Sequence, residues 1–190
     1  MGENAKSDSG IRMNALIVAF WLMLPAYIPN NCAALFGGGV PLDGGRIYSD
    51  GRRLLGDGKT FRGTFAGTFC GVLVGLLQNM VAPFVGLPSF GSGIEQLFIL
   101  LALSLGAMLG DIVAAFFKRR MGLQRGAPLF IIDQLDFVLG AWLLTLFMAP
   151  DWFMLHFTLN IILIILIITP ILHRVTNIIG YRMGAKKEPW

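Results

Sequence analysis

The sequence predicts an all-α membrane protein with five transmembrane helices, and three observations carry that prediction. Of 190 residues, 55% are hydrophobic and only 14% are charged, against roughly 25% charged in an ordinary soluble domain. The mean hydropathy is +0.70. Apolar stretches at 14–36, 64–86, 94–117, 129–149 and 152–172 each match the roughly 20 residues that a helix needs to cross hydrocarbon. Backbone groups in lipid must be satisfied within the segment, which makes such stretches helices.

The connections between the stretches alternate in charge. The N-terminal segment carries Lys6 and Arg12. The loop after the first stretch carries Arg46, Arg52, Arg53, Lys59 and Arg62, and the loop around 83–93 has no basic residue. After the third stretch come Lys118, Arg119, Arg120 and Arg125. The turn at Pro150 and Asp151 has no basic residue, and the C-terminal segment has Arg174, Arg182, Lys186 and Lys187. An odd number of crossings then places 13 basic residues on one side and 2 on the other. Basic loops stay cytoplasmic, so the N-terminus is expected outside and the C-terminus inside.

The expected organisation is a flexible tail over 1–13, a five-helix domain over 14–175 with cytoplasmic loops 37–63 and 118–128, and a cytoplasmic tail over 176–190. The N-terminal segment lacks the basic start and cleavage pattern of a signal peptide. The glycine-rich run from Gly37 reads as an ordered loop, with a flexible linker as the alternative. The net charge of +4 fits basic loops beside anionic headgroups, and no nucleic-acid partner is expected. Cys32 and Cys70 lie in apolar stretches and make no metal-binding pattern. His156 and His173 are expected near opposite ends of the fifth helix, in interfacial roles.

The acids suggest chemistry. Asp111 lies seven residues before Lys118, about 10 Å along a helix, so it is expected within the cytoplasmic half of the membrane. An ionisable group there marks a functional site by default; the alternative is a pairing with an arginine that locks two helices. Asp133 and Asp136, three residues apart, share a helical face. Three carboxylates at one depth make a hard-oxygen site suited to Mg²⁺, although the pair alone also fits acids at a helix N-terminus.

The bases complement them. Gly56-Asp57-Gly58-Lys59-Thr60-Phe61-Arg62-Gly63 leads into the second helix, and a helix N-terminus with small residues and nearby cations suits phosphate. Its spacing is not that of a Walker A loop, and Lys59 and Arg62 also fit as interfacial anchors. Lys118 lies on the face of Asp111. Arg119 and Arg120 close the third helix, where cations suit its dipole. Asn30 and Asn31, beside Pro29, either pack helices together or line a polar cavity. No Ser/His/Asp set for nucleophilic catalysis is apparent.

At these residues the chain resembles the archaeal CDP-archaeol synthase family. The resemblance rests on GDGKTFRG (56–63), LGDIVAAFFKRRMGLQRG (109–126) and DQLDF (133–137), and covers essentially the whole chain. It is also similar to the C-terminal signature of CDP-diacylglycerol synthases, an Asp, a Lys-Arg pair and two Asp three apart, with a shorter insert at 121–128. The resemblance implies a Mg²⁺-assisted reaction of CTP with an isoprenoid ether lipid phosphate at the cytoplasmic face of the cell membrane, giving CDP-lipid and pyrophosphate. It implies metal binding by Asp111, Asp133 and Asp136, with Lys118 joining them in catalysis. Asp57, Lys59, Thr60, Arg62, Lys118, Arg119 and Asn30 would bind nucleotide or phosphate. Membrane lipid is the surrounding partner and a homodimer is a possible assembly. Two other readings are an ion or phosphate transporter and a CDP-alcohol phosphotransferase; the latter expects a DGxxAR motif, which is absent here.

Overall fold

The computed structural model describes residues 3–123, 129 and 132–182, with side chains from residue 15 onward except that of residue 132. Six helices follow one another: α1 (Glu3–Phe36), α2 (Phe61–Val85), α3 (Gly93–Arg120), α4 (Ile132–Met148), α5 (Pro150–His156) and α6 (Leu159–Arg182). Four of them are long and apolar enough to cross a membrane: α1 from Ala15, α2, α3 and α6. The protein is an all-α membrane protein.

Three expectations are corrected. Helix α1 begins at Glu3, ahead of the apolar stretch expected from 14. The stretch expected as one helix over 152–172 is divided by Phe157 and Thr158 into α5 and α6. Pro150 starts α5 at a position that needs no N–H. Helix α6 then runs through His173, Arg174 and Asn177 to Arg182, past the expected end of the helix at 172. His156 therefore lies on α5, stacked on Trp152 at 4.6 Å, and His173 on α6.

Helix α1 packs against α2, α3 and α6, and α3 lies along α4. The buried stripe of α2 is Gly63, Gly67, Gly71, Gly75, Gln78 and Ala82, small residues at four-residue intervals that let backbones meet. A Cβ on Gly67 would lie 2.6 Å from the Pro29 carbonyl oxygen, and one on Gly71 2.5 Å from that of Pro25. The prolines of α1 have no N–H, so carbonyls one turn earlier lose their helical partner. Side chains replace it. Gln78 Nε2 donates to the Trp21 carbonyl at 2.9 Å, and Ser104 Oγ donates to that of Pro25 at 3.1 Å. Tyr27 and Thr169 share a 2.8 Å hydrogen bond between α1 and α6.

One end of the bundle is closed by aromatic rings. Phe90 is buried and stacks on Trp152. The Trp152 indole donates to the Ser89 carbonyl at 3.0 Å, and the Trp21 indole to that of Pro88 at 2.9 Å. Phe65, Phe69, Met80 and Phe84 of α2 are exposed, as expected of a face turned to lipid.

Candidate functional site

The opposite end carries the charges, and the loop between α1 and α2 builds it. This loop is ordered, with short bridges pairing Pro41 with Thr60 and Ile47 with Arg53. Asp43 organises it. Its side chain is buried and accepts hydrogen bonds from Arg53 Nη2 at 2.7 Å and Nε at 3.2 Å. It also accepts from the backbone N–H groups of Gly45, Leu55 and Gly56 at 3.0–3.1 Å. The Arg53 guanidinium, first among these, holds the Asp43 carboxyl well below the usual carboxylate range; burial opposes it and the three N–H groups assist. Sequence reading missed Asp43, which resembles any acid before a Gly-Gly turn. The only available signal was the cluster of arginines that follows it.

From this anchor the chain turns through Gly56, whose φ of 91° suits glycine. It reaches Thr60, the N-cap of α2. The Thr60 hydroxyl is buried and accepts from Gly63 N at 3.0 Å, so its place in the structure is to start the helix. Lys59, one residue earlier, makes an ion pair with Asp111 of α3. A lysine from the loop, not an arginine, is thus the partner of Asp111.

Lys118 does not turn to Asp111. Its Nζ spans both oxygens of Asp133 on α4, at 2.7 and 2.8 Å, and Asp133 also accepts from Leu129 N at 2.9 Å. Asp136 is half-buried in the field of Asp111, Lys59 and Asp133. What brings it there is the fit of α3 on α4: a Cβ on Gly140 would lie 2.6 Å from Gly110 Cα. Lys59, Asp111, Asp136, Asp133 and Lys118 therefore form one run of charges across the ends of three elements.

The other candidates stand around this run. Arg119 spends its guanidinium on the carbonyls of Leu55 and Leu123. Asp57 is exposed and pairs with Arg53 at 2.9 Å. Arg62 is exposed on the first turn of α2. Asn30 lies next to Pro29, whose carbonyl neighbours Gly67 and, through it, Met108, one turn before Asp111. Its Oδ1 is buried without a hydrogen-bond partner, whereas Asn31 is exposed and bonds the Tyr27 carbonyl. Arg125 and the rest of 124–128, with Lys186 and Lys187, lie outside the described residues.

Among the described residues no three metal-binding side chains converge closely enough to hold an ion. The donor chemistry still fits Mg²⁺, with three carboxylates on neighbouring helix ends supplying only hard oxygen. In this arrangement two of them are neutralised by ammonium groups, which occupy the place of cationic charge.

Helices long and apolar enough to cross a membrane, with ion-paired lysines and aspartates gathered at one end, define a membrane protein with one charged end. A solved intramembrane enzyme for archaeal membrane lipid biosynthesis has the same fold, with a TM-score of 0.71 and 35% identity over 86% of this chain and 94% of that one. The chain is 55% identical over 175 residues to the CDP-archaeol synthase of Methanococcoides burtonii, a match covering 88% of this chain and all of that protein. It is 48% identical over 187 residues to that of Natronomonas pharaonis, covering 91% of this chain and 96% of the relative. The family model for CarS-like CDP-archaeol synthase matches residues 12–190. The chain belongs to the CDP-archaeol synthase family.

Proposed function

We propose that the protein is a CTP-dependent cytidylyltransferase that makes CDP-archaeol, CDP-2,3-bis-(O-geranylgeranyl)-sn-glycerol, in ether phospholipid biosynthesis. An oxygen of the lipid phosphate attacks the α-phosphorus of CTP, the bond from that phosphorus to the β-phosphate oxygen breaks, and pyrophosphate leaves. Family membership over residues 12–190 carries this reading, and the site geometry supports it. The three sequence blocks that define the resemblance meet through Lys59–Asp111 and Lys118–Asp133. Neither a transporter nor a CDP-alcohol phosphotransferase is favoured.

The nucleophile is an anion near neutral pH, so the site needs charge balance and alignment more than a strong base. Lys59, Lys118 and Arg62 supply cationic donors for the triphosphate and the departing pyrophosphate. Asp57, Thr60 and Arg119 shape the loop that presents Lys59, and Asn30 offers an unpaired amide oxygen deeper in the bundle. Asp111, Asp133 and Asp136 would hold Mg²⁺, which supplies charge neutralisation to the phosphates. The lysines that now neutralise those carboxylates would then turn to phosphate oxygens.

Five crossings complete the reading. Helix α4, with 17 residues, lies at the short end of spanning length, and α5 rests at the membrane surface. With α4 as a crossing, the basic loops and the site face the cytoplasm, where CTP is, and the N-terminus lies outside.

The test is pyrophosphate release by detergent-purified protein given CTP, Mg²⁺ and the isoprenoid lipid phosphate, with Asp133→Asn alongside. Lipid-dependent release from CTP but not ATP, lost in the variant, is the expected result. Folded protein that releases no pyrophosphate would sink the proposal.

A further inference from the structure

Arg120 closes α3, where its charge complements the dipole, yet its contacts far exceed that role. Nη1 donates to Asp50 Oδ1 at 2.5 Å, and Nη2 donates to the Arg53 carbonyl at 2.5 Å. The guanidinium lies over the Tyr48 ring, 4.6 Å from its centroid, and 5.3 Å from that of Phe116. Tyr48 meets Phe116 edge to face at 6.0 Å. In return Arg52 Nη1 donates to the Arg120 carbonyl at 2.9 Å. One side chain of α3 thus holds Tyr48, Asp50 and Arg53 of the loop.

The same loop touches α3 a second time, at Lys59–Asp111. On the helix, Asp111 and Arg120 are nine residues apart, about 14 Å. In the loop, Arg53 and Lys59 are six residues apart, a reach of about 20 Å when fully extended. Part of that reach is used by the turn in which Lys59 N donates to the Gly56 carbonyl at 3.4 Å. Between the two contacts Arg53 holds Asp43, which accepts from Leu55 N and Gly56 N at 3.0 Å, so the position of Arg53 is passed along the chain toward Lys59.

We propose that Arg120 is a positioning residue for nucleotide binding: by clamping Tyr48, Asp50 and the Arg53 carbonyl onto the end of α3, it sets the register of Gly56–Arg62 and delivers Lys59 to the phosphate site. This rests on Lys59 as a phosphate ligand. The work requires a planar fork that bridges a carboxylate and a carbonyl while stacking on a ring, which an ammonium does not reproduce. Charge alone is therefore insufficient.

The test measures CTP and lipid-phosphate kinetics for Arg120→Lys, Arg120→Gln, Lys59→Met and the double variant Lys59→Met/Arg120→Gln. Both Arg120 variants are expected to raise KM for CTP about tenfold, to leave KM for the lipid phosphate within about twofold, and to speed trypsin cleavage after Arg46 or Arg52. In the Lys59→Met background, Arg120→Gln is expected to add little, because both changes act through one group. Wild-type CTP KM in Arg120→Lys, or effects that multiply in the double variant, would overturn the proposal itself. An unchanged CTP KM in Lys59→Met would overturn it through its premise. Should Arg120→Gln fail to fold, Asp50→Asn and Tyr48→Leu remove the loop's side of the clamp, and the same KM shift decides.

Discussion

Gly110→Ala is the most informative single change in the helix pair that carries the acids. Helix α3 meets α4 where Gly106 and Gly110 face Gly140. A Cβ on Gly110 would lie 2.9 Å from the carbonyl carbon of Asp136, nearer still to its oxygen, and 3.1 Å from Gly140 Cα. Unstrained carbon contacts lie at about 3.5–4.0 Å. All three obstacles are backbone atoms, so no side chain can swing away, and the helices must part by roughly 1 Å locally. Overpacking of this kind costs about 1–3 kcal/mol. The displaced residue is Asp136 itself, and Asp111 is the next residue on α3. A 1 Å misplacement near reacting groups costs about 100-fold in rate. The assay is CDP-lipid formation from labelled CTP, run beside a thermal melt in detergent. As a control, the three atoms nearest a Cβ on Gly75 all belong to the Leu100 side chain, far from the acids, and Gly75→Ala should lower the melt while leaving the rate largely intact. Wild-type kcat/KM and melting in Gly110→Ala would refute the claim that this contact sets the carboxylate geometry.

Two further outcomes follow from the loop and the bundle. Asp43→Asn should loosen the α1–α2 loop and raise its trypsin sensitivity at neutral pH. Because the native Asp43 carboxyl is held below its ordinary value near 3.9, loop order in the unsubstituted protein is full above about pH 4. It fades as pH falls through the lowered native value, and proteolysis by an acid-active protease should show that fade only when Asp43 is present. Ser104→Ala leaves the Pro25 carbonyl without its donor and should lower stability by about 1 kcal/mol, read as a shift in the melt with KM for CTP unchanged.

Much of this was legible in the sequence because lipid imposes simple rules. The helices α1, α2 and α3 follow from runs of apolar residues bounded by charge, and Asp111, Asp133 and Asp136 are conspicuous as rare acids beside such runs. The division between α5 and α6 was hidden because Phe157 and Thr158 interrupt the helix without interrupting the hydropathy. The polar end of α6 looked like a tail for the converse reason: His173, Arg174 and Asn177 are helical without being apolar. Pairing was harder. Helical spacing placed Lys118 with Asp111, but the approach of α4 through Gly110 and Gly140 gave Lys118 to Asp133, and the loop brought Lys59 to Asp111 instead. Asp43, Asp50 and Arg120 act across 10 to 70 residues of chain, a kind of contact that local pattern does not encode.

The prolines of α1 bear on how the protein is assembled. Helix α1 leaves the ribosome before α2 and α3, and at that moment the carbonyls of Trp21 and Pro25 have no donor above them. The groups that complete them belong to Gln78 and Ser104, which are made later. A newly inserted α1 is therefore an unfinished element that bilayer lipid cannot complete. Its orphan carbonyls favour docking of the next two helices over drifting free or pairing with a stranger. The insertion order of the chain and its hydrogen bonds are matched, so that each arriving helix closes a vacancy left by the first.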